Sequence, residues 1–311
     1  MKKIKKIKKI ILLFFYSLII FSSAAAIENK ILFKVNNEII TSIDILTELK
    51  YLEMINSDFI KMPKKKAFEI AKKSLIREKI KVIELKKFFE EIKIEDEFLN
   101  RLLIDRFKSI NIKSIYDFEK HFLLLDISPS LIKKKISIEV MWNQLIFNKF
   151  KQNVKINKED IKNELLTKDK QKEYLLSEIL FTINENEKFD KKTNLLEKEI
   201  NDKGFSQTAL TYSISDTSSK GGKLGWVKET ILSSKIKKII KKIKINSYTK
   251  PIIIPGGFLI LKIENIRETK NDLDLDSEIN RIVKEKTNEQ LNQLSNIYFN
   301  KVKKDIIINE L

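Results

Sequence analysis

Cysteine is absent from this chain of 311 residues, and glycine, proline and histidine are scarce, with six, four and one residues. Without cysteine the protein has neither a disulfide framework nor the lipid-carrying cysteine of a lipoprotein, so its hydrophobic core must stabilise the fold. The single histidine, His121, has no cysteine or second histidine with which to hold a metal. Residues 272–276 place three aspartates as in a calcium loop, but Ser277 occupies the position of the required glycine. We therefore expect no metal site.

Lysine supplies most of the charge, and the formal net charge of the whole chain is +18. Six lysines lie within the first nine residues, so the rest of the chain carries +12. Such a surplus is typical of proteins that bind nucleic acid or anionic membranes. Here the lysines are spread along the whole chain, and arginines, which bind phosphate with a two-pronged geometry, are few. We therefore expect no nucleic-acid partner.

The chain opens with a basic, then an apolar, then a small-residue segment. Residues 1–9 are rich in lysine, residues 10–21 are apolar except for Ser17, and residues 24–26 are alanines. This order predicts a secretory signal peptide over residues 1–26, with cleavage after Ala26. The apolar run is shorter than the roughly 20 residues that a membrane span needs. We therefore expect export without stable membrane insertion, and an uncleaved membrane anchor is the alternative.

All six glycines lie between residues 204 and 257, and three of them fall in the run 221–225. Such clustering predicts sharp bends of the backbone. The run is followed by an amphipathic helical segment at 231–243, a Pro-Gly-Gly turn at 255–257 and a strand at 258–264. A strand at 174–181 and a polar helix at 188–203 precede it. Together these segments predict a small unit of mixed helix and strand.

This unit resembles the parvulin family of peptidyl-prolyl isomerases in four short motifs, which occur in the family's order. The residues that carry the resemblance are Ser177, Ile179 and Leu180; Gly204, Phe205, Ala209, Tyr212 and Ser213; Gly221, Gly222, Leu224, Gly225 and Trp226; and Gly257, Phe258, Ile260, Leu261 and Lys262. They span nearly the whole unit. The resemblance therefore implies a parvulin-like (PpiC-type) domain over residues 169–271.

The resemblance also locates the catalytic positions of parvulins, and the two histidine positions are replaced by Glu178 and Leu259. Neither side chain can act as a neutral imidazole donor and acceptor. The family's Cys or Asp position is Ser215, or Asp216 if the loop is shifted by one residue. We therefore assign no catalytic residue with confidence and no cofactor, and we expect weak or absent isomerase activity. Glu178 and Asp216 form either a carboxylate pair or, as we favour, two separate surface acids.

The residues that hold the proline ring in parvulins correspond to Leu232 and Ile236. Together with Phe258 and Leu259 on the closing strand, they are the predicted substrate-binding residues. All four are apolar, so the resemblance implies a pocket that still binds polypeptide. Trp226, Trp142 and Phe147 are predicted to be core residues.

Helical periodicity dominates both sides of this unit. A hairpin around Asn36 and Asn37 is predicted at 29–40, and the predicted helices are 43–52, 63–89, 95–109, 114–125, 130–150, a short one after the cap at 157, and 273–308. Because the last helix has nothing downstream to pack on, we expect it to return to the N-terminal helices. The predicted fold class is therefore α+β, with a helical domain of residues 27–168, completed by residues 272–311, and one inserted parvulin-like domain.

A hairpin followed by a helix with an early aspartate, here Asp44, is similar to the start of the SurA family of periplasmic chaperones. Members of that family carry parvulin units in a helical framework. The resemblance implies a periplasmic chaperone that binds unfolded outer-membrane proteins or other exported polypeptides. An active parvulin-type isomerase and a membrane-anchored scaffold are the alternative functions.

Overall fold

The computed structural model describes residues 29–166, 170–183, 187–270 and 275–311. The predicted signal peptide and two of the three aspartates of the calcium-like motif lie outside the described residues. Among the helices in these ranges, none is both long enough and apolar enough to cross a membrane.

The predicted N-terminal hairpin is confirmed, and a third strand joins it. Strands β1 (Ile31–Val35) and β2 (Glu38–Thr41) pair antiparallel around a turn in which Asn36 has a φ of 47°. Strand β7 (Ile308–Glu310) pairs with the free edge of β1. The expected continuous helix at 273–308 was wrong at its end, because the backbone of Ile307 bonds to Asn36 and the chain becomes extended.

Seven helices follow in the described chain before the sheet of the parvulin-like unit. They are α1 (Ser42–Ile55), α2 (Ser57–Ile60), α3 (Lys64–Leu85), α4 (Asp96–Phe107), α5 (Ile115–Leu124), α6 (Pro129–Phe150) and α7 (Lys158–Leu166). Side-chain caps fix several of these starts: Thr41 and Asp44 form a capping box before α1, Asn56 accepts from the backbone of Asp58 at α2, and Ser114 accepts from the backbone of Asp117 at α5. Helix α2 was not predicted, and the bounds of the other helices agree with the predicted segments to within a few residues.

The C-terminal helix α11 (Leu275–Lys304) packs against these N-terminal helices. Phe299 and Val302 of α11 are buried in the same hydrophobic cluster as Trp142 of α6. The indole Nε1 of Trp142 is fully buried and donates to Ser295 Oγ at 2.8 Å, which satisfies its polar group. Phe147 was wrongly predicted to be a core residue, because 45% of its surface is exposed.

The parvulin-like unit is built on an antiparallel sheet of four strands in the order β4, β3, β6, β5. The strands are β3 (Lys170–Phe181), β4 (Lys223–Lys228), β5 (Ile252–Ile254) and β6 (Gly257–Lys270). Helices α8 (Phe189–Lys203) and α9 (Phe205–Tyr212) pack on one face, and α10 (Ser234–Ile240) packs on the other. The predicted α+β class is confirmed. Helix α10 begins later than the predicted segment because the Ser233 side chain caps its start, and it ends at Ile240.

Candidate functional site

The glycine run brings the loop after α9 against strand β3 at Glu178. Gly222 has a φ of 78°, and its carbonyl accepts from the backbone N–H of Glu178 at 2.7 Å. A Cβ on Gly222 would lie 2.1 Å from the carbonyl oxygen of Glu178, so no other residue fits without moving the backbone. The predicted bend is therefore observed, and it fixes loop 213–220 beside the sheet.

A cavity of about 510 Å³, which we call the sheet pocket, lies on the α10 face of the sheet. The strand residues of its apolar floor share one face of the sheet, because every second side chain of a strand points to the same side. The residues of this floor are Leu176, Leu180, Leu232, Ile236, Leu259 and Leu261. A cavity of this size and composition can enclose an apolar side chain and the adjoining backbone.

Helix α11 forms the opposite, polar wall of the sheet pocket. Asn288, Asn292 and Asn296 line it at intervals of four residues, so they lie on one stripe of the helix. The helix is held there because Lys228 Nζ of β4 donates to Glu278 at 2.8 Å and Lys286 Nζ donates to the carbonyl of Ile231 at 3.2 Å. These amides were not predicted to be functional, although their four-residue spacing is visible in the sequence.

The carboxyl group of Glu178 lies in the sheet pocket between two leucines of the floor. Its Oε1 accepts from Ser215 Oγ at 2.5 Å and from Thr217 Oγ1 at 2.9 Å. Burial raises the pKa of Glu178, although the two hydroxyl groups act in the opposite direction. Glu289 of α11 lines the same pocket, where burial and the negative charge of Glu178 raise its pKa.

Asp216 points to the helical part of the molecule instead. It accepts from Arg77 at 2.8 Å and from Lys81 at 3.3 Å, both on α3. Burial favours the neutral acid, but the charges of Lys81 and Arg77 outweigh it and hold the pKa of Asp216 well below its usual range. Glu178 and Asp216 therefore have separate hydrogen-bond partners. Of the two residues considered for the Cys or Asp position, Ser215 is the one that contacts Glu178.

Three of the four predicted substrate-binding residues line the sheet pocket: Leu232, Ile236 and Leu259. Phe258 does not, because it precedes Leu259 on the same strand and its side chain lies on the opposite face, stacked on Phe181 at 5.5 Å. Its assignment to the pocket was therefore wrong.

Trp226 was also wrongly predicted, as a core residue. It is 38% exposed and lines the sheet pocket, with the Arg267 guanidinium 4.1 Å from its ring centroid.

The chemistry that the site offers is binding more than proton transfer. The sheet pocket combines an apolar floor, neutral amides and carboxyl groups, and its family histidine positions hold Glu178 and Leu259. Within the described ranges, no group of three or more potential ligands could hold a metal ion. An extended peptide could place an apolar side chain on the floor and its backbone against the asparagines.

Residues 178–265 match the family model of the rotamase domain, the PPIC-type PPIASE domain. This match covers the two replaced histidine positions and the whole glycine run. The resemblance to parvulins that the motifs predicted is confirmed.

Two curated relatives of the chain are SurA chaperones. The chain is 25% identical over 188 residues to Chaperone SurA of Pseudomonas aeruginosa, covering 57% of this chain and 45% of the relative. It is 25% identical over 187 residues to Chaperone SurA of Pseudomonas putida, covering 57% and 44%. The predicted resemblance to SurA-type chaperones is confirmed, and the chain spans less than half the length of these relatives.

Solved structures give looser overall similarities. One comes from a study of two structurally related SurA-like chaperones of Campylobacter jejuni, with 17% identity, a TM-score of 0.36, and coverage of 91% of this chain and 99% of that one. PrsA of Bacillus subtilis is 19% identical, with a TM-score of 0.29 and coverage of 88% and 92%.

Proposed function

We propose that the protein is a periplasmic chaperone that holds unfolded outer-membrane proteins or other exported polypeptides, and that its parvulin-like unit binds chains with weak or no isomerase activity. The observation that carries this proposal is the sheet pocket, which keeps an apolar floor while Glu178 and Leu259 stand at the family's histidine positions. The resemblance to SurA chaperones supports the client class, and the pattern of residues 1–26 supports export and cleavage after Ala26.

The arrangement of domains is part of the same proposal. Residues 27–168 and 272–311 would form one helical chaperone domain, and residues 169–271 the inserted parvulin-like domain. The cluster shared by Trp142 and Phe299 supports this division, because it joins helices from both ends of the chain. The division puts α11 in the helical domain while its asparagines line the sheet pocket, so a bound client would contact both domains.

Unfolded outer-membrane proteins suit such a surface because their strands alternate apolar and polar side chains. Apolar side chains would enter the floor of the sheet pocket, and Trp226 at its rim would cover them. Leu123 and Leu124 at the end of α5, exposed by 62% and 76%, offer a second apolar contact on the helical arm. Several weak contacts of this kind give loose and reversible binding, which a carrier needs.

The test is suppression of aggregation of a denatured β-barrel protein, measured by light scattering, with the Trp226→Ser variant. Trp226 is exposed, so its replacement leaves the core intact. We expect the variant to need an about three- to tenfold higher concentration than the wild type for the same suppression of aggregation. Ile253→Ser is the matched control, because Ile253 is a large apolar residue of the same sheet, exposed by 67% and outside the pocket. Equal suppression by the wild type and both variants would show that the sheet pocket does not bind the client.

An active peptidyl-prolyl isomerase is the second candidate, and the rotamase match over residues 178–265 favours it. The assay is refolding of a protein whose slow phase is prolyl isomerisation, which takes tens of seconds without catalysis. We expect little acceleration by the wild type. Strong acceleration that Leu232→Ala or Ile236→Ala abolishes would establish the enzyme and overturn the binding role that we favour.

A further inference from the structure

A second cavity, of about 690 Å³, lies between the helical part of the molecule and loop 213–220 of the parvulin-like unit. We call it the junction cleft. Helices α1, α3 and α6 form one side, and α9, the loop and the end of α11 form the other. Nine of its lining residues are lysine or arginine and four are aspartate or glutamate, so its formal charge is +5.

The acids of the junction cleft are already bound to cations. Glu48 and Glu78 each lie 2.6 Å from Lys135 Nζ, Glu139 lies 2.7 Å from Arg106, and Asp216 contacts Arg77 and Lys81. Both arginines of the cleft are therefore engaged by carboxylates. The excess positive charge is left on lysines.

Four cleft lysines form no ion pair with any residue of the described ranges: Lys73, Lys220, Lys223 and Lys303. Lys73 Nζ donates to the carbonyl of Thr211, at 3.3 Å. Partial burial lowers the pKa of Lys73, the charge of Glu69 acts in the opposite direction, and the charges of Lys192 and Lys303 lower it further. Partial burial and the nearby Arg106 lower the pKa of Lys220, and the charge of Glu139 acts in the opposite direction. A carboxylate arriving between these groups would relieve both the burial cost and the mutual repulsion.

We infer that the junction cleft binds an acidic segment of an unfolded polypeptide, with Asp or Glu carboxylates received by Lys73 and Lys303 at one end and by Lys220 at the other. Free lysines suit single carboxylates, whereas phosphate groups favour the arginine fork, and the arginines here are occupied. Ser218 and Ser219 line the cleft and offer hydroxyl groups to a peptide backbone. The inference rests on the proposed function in taking an unfolded polypeptide as the ligand.

The experiment is fluorescence anisotropy at low ionic strength with two labelled unstructured peptides. One alternates aspartate with serine and glycine, and the other has asparagine at each aspartate position. We expect the full-length protein to bind the acidic peptide at least tenfold more tightly, and roughly 0.5 M salt to abolish the difference by screening. Equal affinity for the two peptides would overturn the inference.

The variant Lys73→Gln/Lys303→Gln locates the site. We expect it to weaken acidic-peptide binding about five- to tenfold, because two charge contacts are lost. Lys238→Gln/Lys242→Gln removes the same charge from lysines outside the cleft, and we expect no change. Equal loss in both variants would show general attraction only and overturn the site. Lys220→Gln, which alters a single lysine of loop 213–220, replaces the double variant if circular dichroism shows that the latter is unfolded.

Two further measurements distinguish this inference from the alternative ligands and from the proposed function. Vesicles with anionic lipid or a single-stranded oligonucleotide that bind through the same lysines, while the acidic peptide does not, would assign the cleft to another ligand and overturn the inference. The aggregation assay is independent: if the wild type suppresses aggregation but does not prefer the acidic peptide, only this inference fails. If it prefers the acidic peptide but suppresses no aggregation, the proposed function fails.

Discussion

Ser215 and Asp216 are neighbours in the chain, but their side chains lie in different surroundings. The Ser215 hydroxyl donates to Glu178 in the sheet pocket, where burial raises the pKa of that acid. Asp216 accepts from Arg77 and Lys81 at the edge of the junction cleft, where the two cations hold its pKa low. The loop therefore separates a pocket that disfavours a carboxylate from a cleft that favours one.

If the protein holds unfolded clients as proposed, the two cavities would receive different parts of a client chain. An apolar stretch would enter the sheet pocket, where an added negative charge meets Glu178 and Glu289. An acidic stretch would enter the junction cleft, where four lysines form no ion pair with any residue of the described ranges. Three substitutions test this comparison: the first disturbs the loop itself, the second its contact with the cleft, and the third its contact with the pocket.

The largest effect is expected from Gly222→Ala, which breaks the loop itself. The added Cβ would meet the Glu178 carbonyl at 2.1 Å, and the φ of 78° is unfavourable for alanine. We expect the free energy of unfolding to fall by about 3 kcal/mol or more, measured by urea denaturation.

Gly225→Ala is the matched control for Gly222→Ala. Gly225 has a φ of 81°, but its Cβ would meet no atom within 4 Å. The free energy of unfolding of Gly225→Ala should therefore fall by only about 1 kcal/mol, the cost of the backbone conformation. Equal losses in the two variants would mean that contact with Glu178 does not fix the loop.

Much of this loop and its sheet could be predicted from the sequence, because the determinants are local. Glycines clustered at 221–225 predicted the bend, and the alternating residues of 174–181 and 258–264 predicted the strands. The motif also identified Glu178 and Leu259, which both line one cavity. Helix α9 was missed because Gly204 and Phe205 look like the end of a helix, and here Gly204 separates two.

The rest depends on contacts between distant parts of the chain. Alternation shows that Phe258 and Leu259 face opposite sides of the sheet, but only the packed structure shows which side holds the pocket. The amphipathic pattern of 273–308 predicted a packed helix, but not that Asn288 and Asn292 on its polar stripe would line the sheet pocket. Strand β7 was missed because three residues paired with the start of the chain leave no local pattern.

A smaller effect is expected from Asp216→Asn, which alters the cleft side alone. The substitution leaves Lys81, a nearly buried cation, without its carboxylate. Asp216 is half exposed, so solvent moderates the loss, and we expect about 1–2 kcal/mol at pH 7. Because the folded pKa of Asp216 is depressed, its contribution is present above the unfolded pKa of about 3.9 and is lost as the pH falls.

The stability difference between wild type and Asp216→Asn should therefore shrink below about pH 4, measured by thermal unfolding across pH. Glu97→Gln is the control, because Glu97 forms an exposed ion pair with Arg101, and we expect a change of about 0.5 kcal/mol or less. A difference that persists unchanged to low pH would show that the ion pair is not its source.

The smallest effect, and one of opposite sign, is expected from Glu178→Gln on the pocket side. The amide oxygen can still accept from Ser215 and Thr217, but it carries no charge. The folded pKa of Glu178 is raised, so ionisation costs the native state more than the unfolded state, and the wild type loses stability as the pH rises from the unfolded pKa through the folded one. The negative charge of Asp216 also raises the pKa of this carboxyl, and removal of the Glu178 charge lowers the cost of ionising Glu289 on α11. We therefore expect the variant to melt about 1–3 °C above the wild type at pH 7.5 and at the same temperature as the wild type near pH 4. A variant that melts below the wild type at pH 7.5 would show that the pocket stabilises a carboxylate.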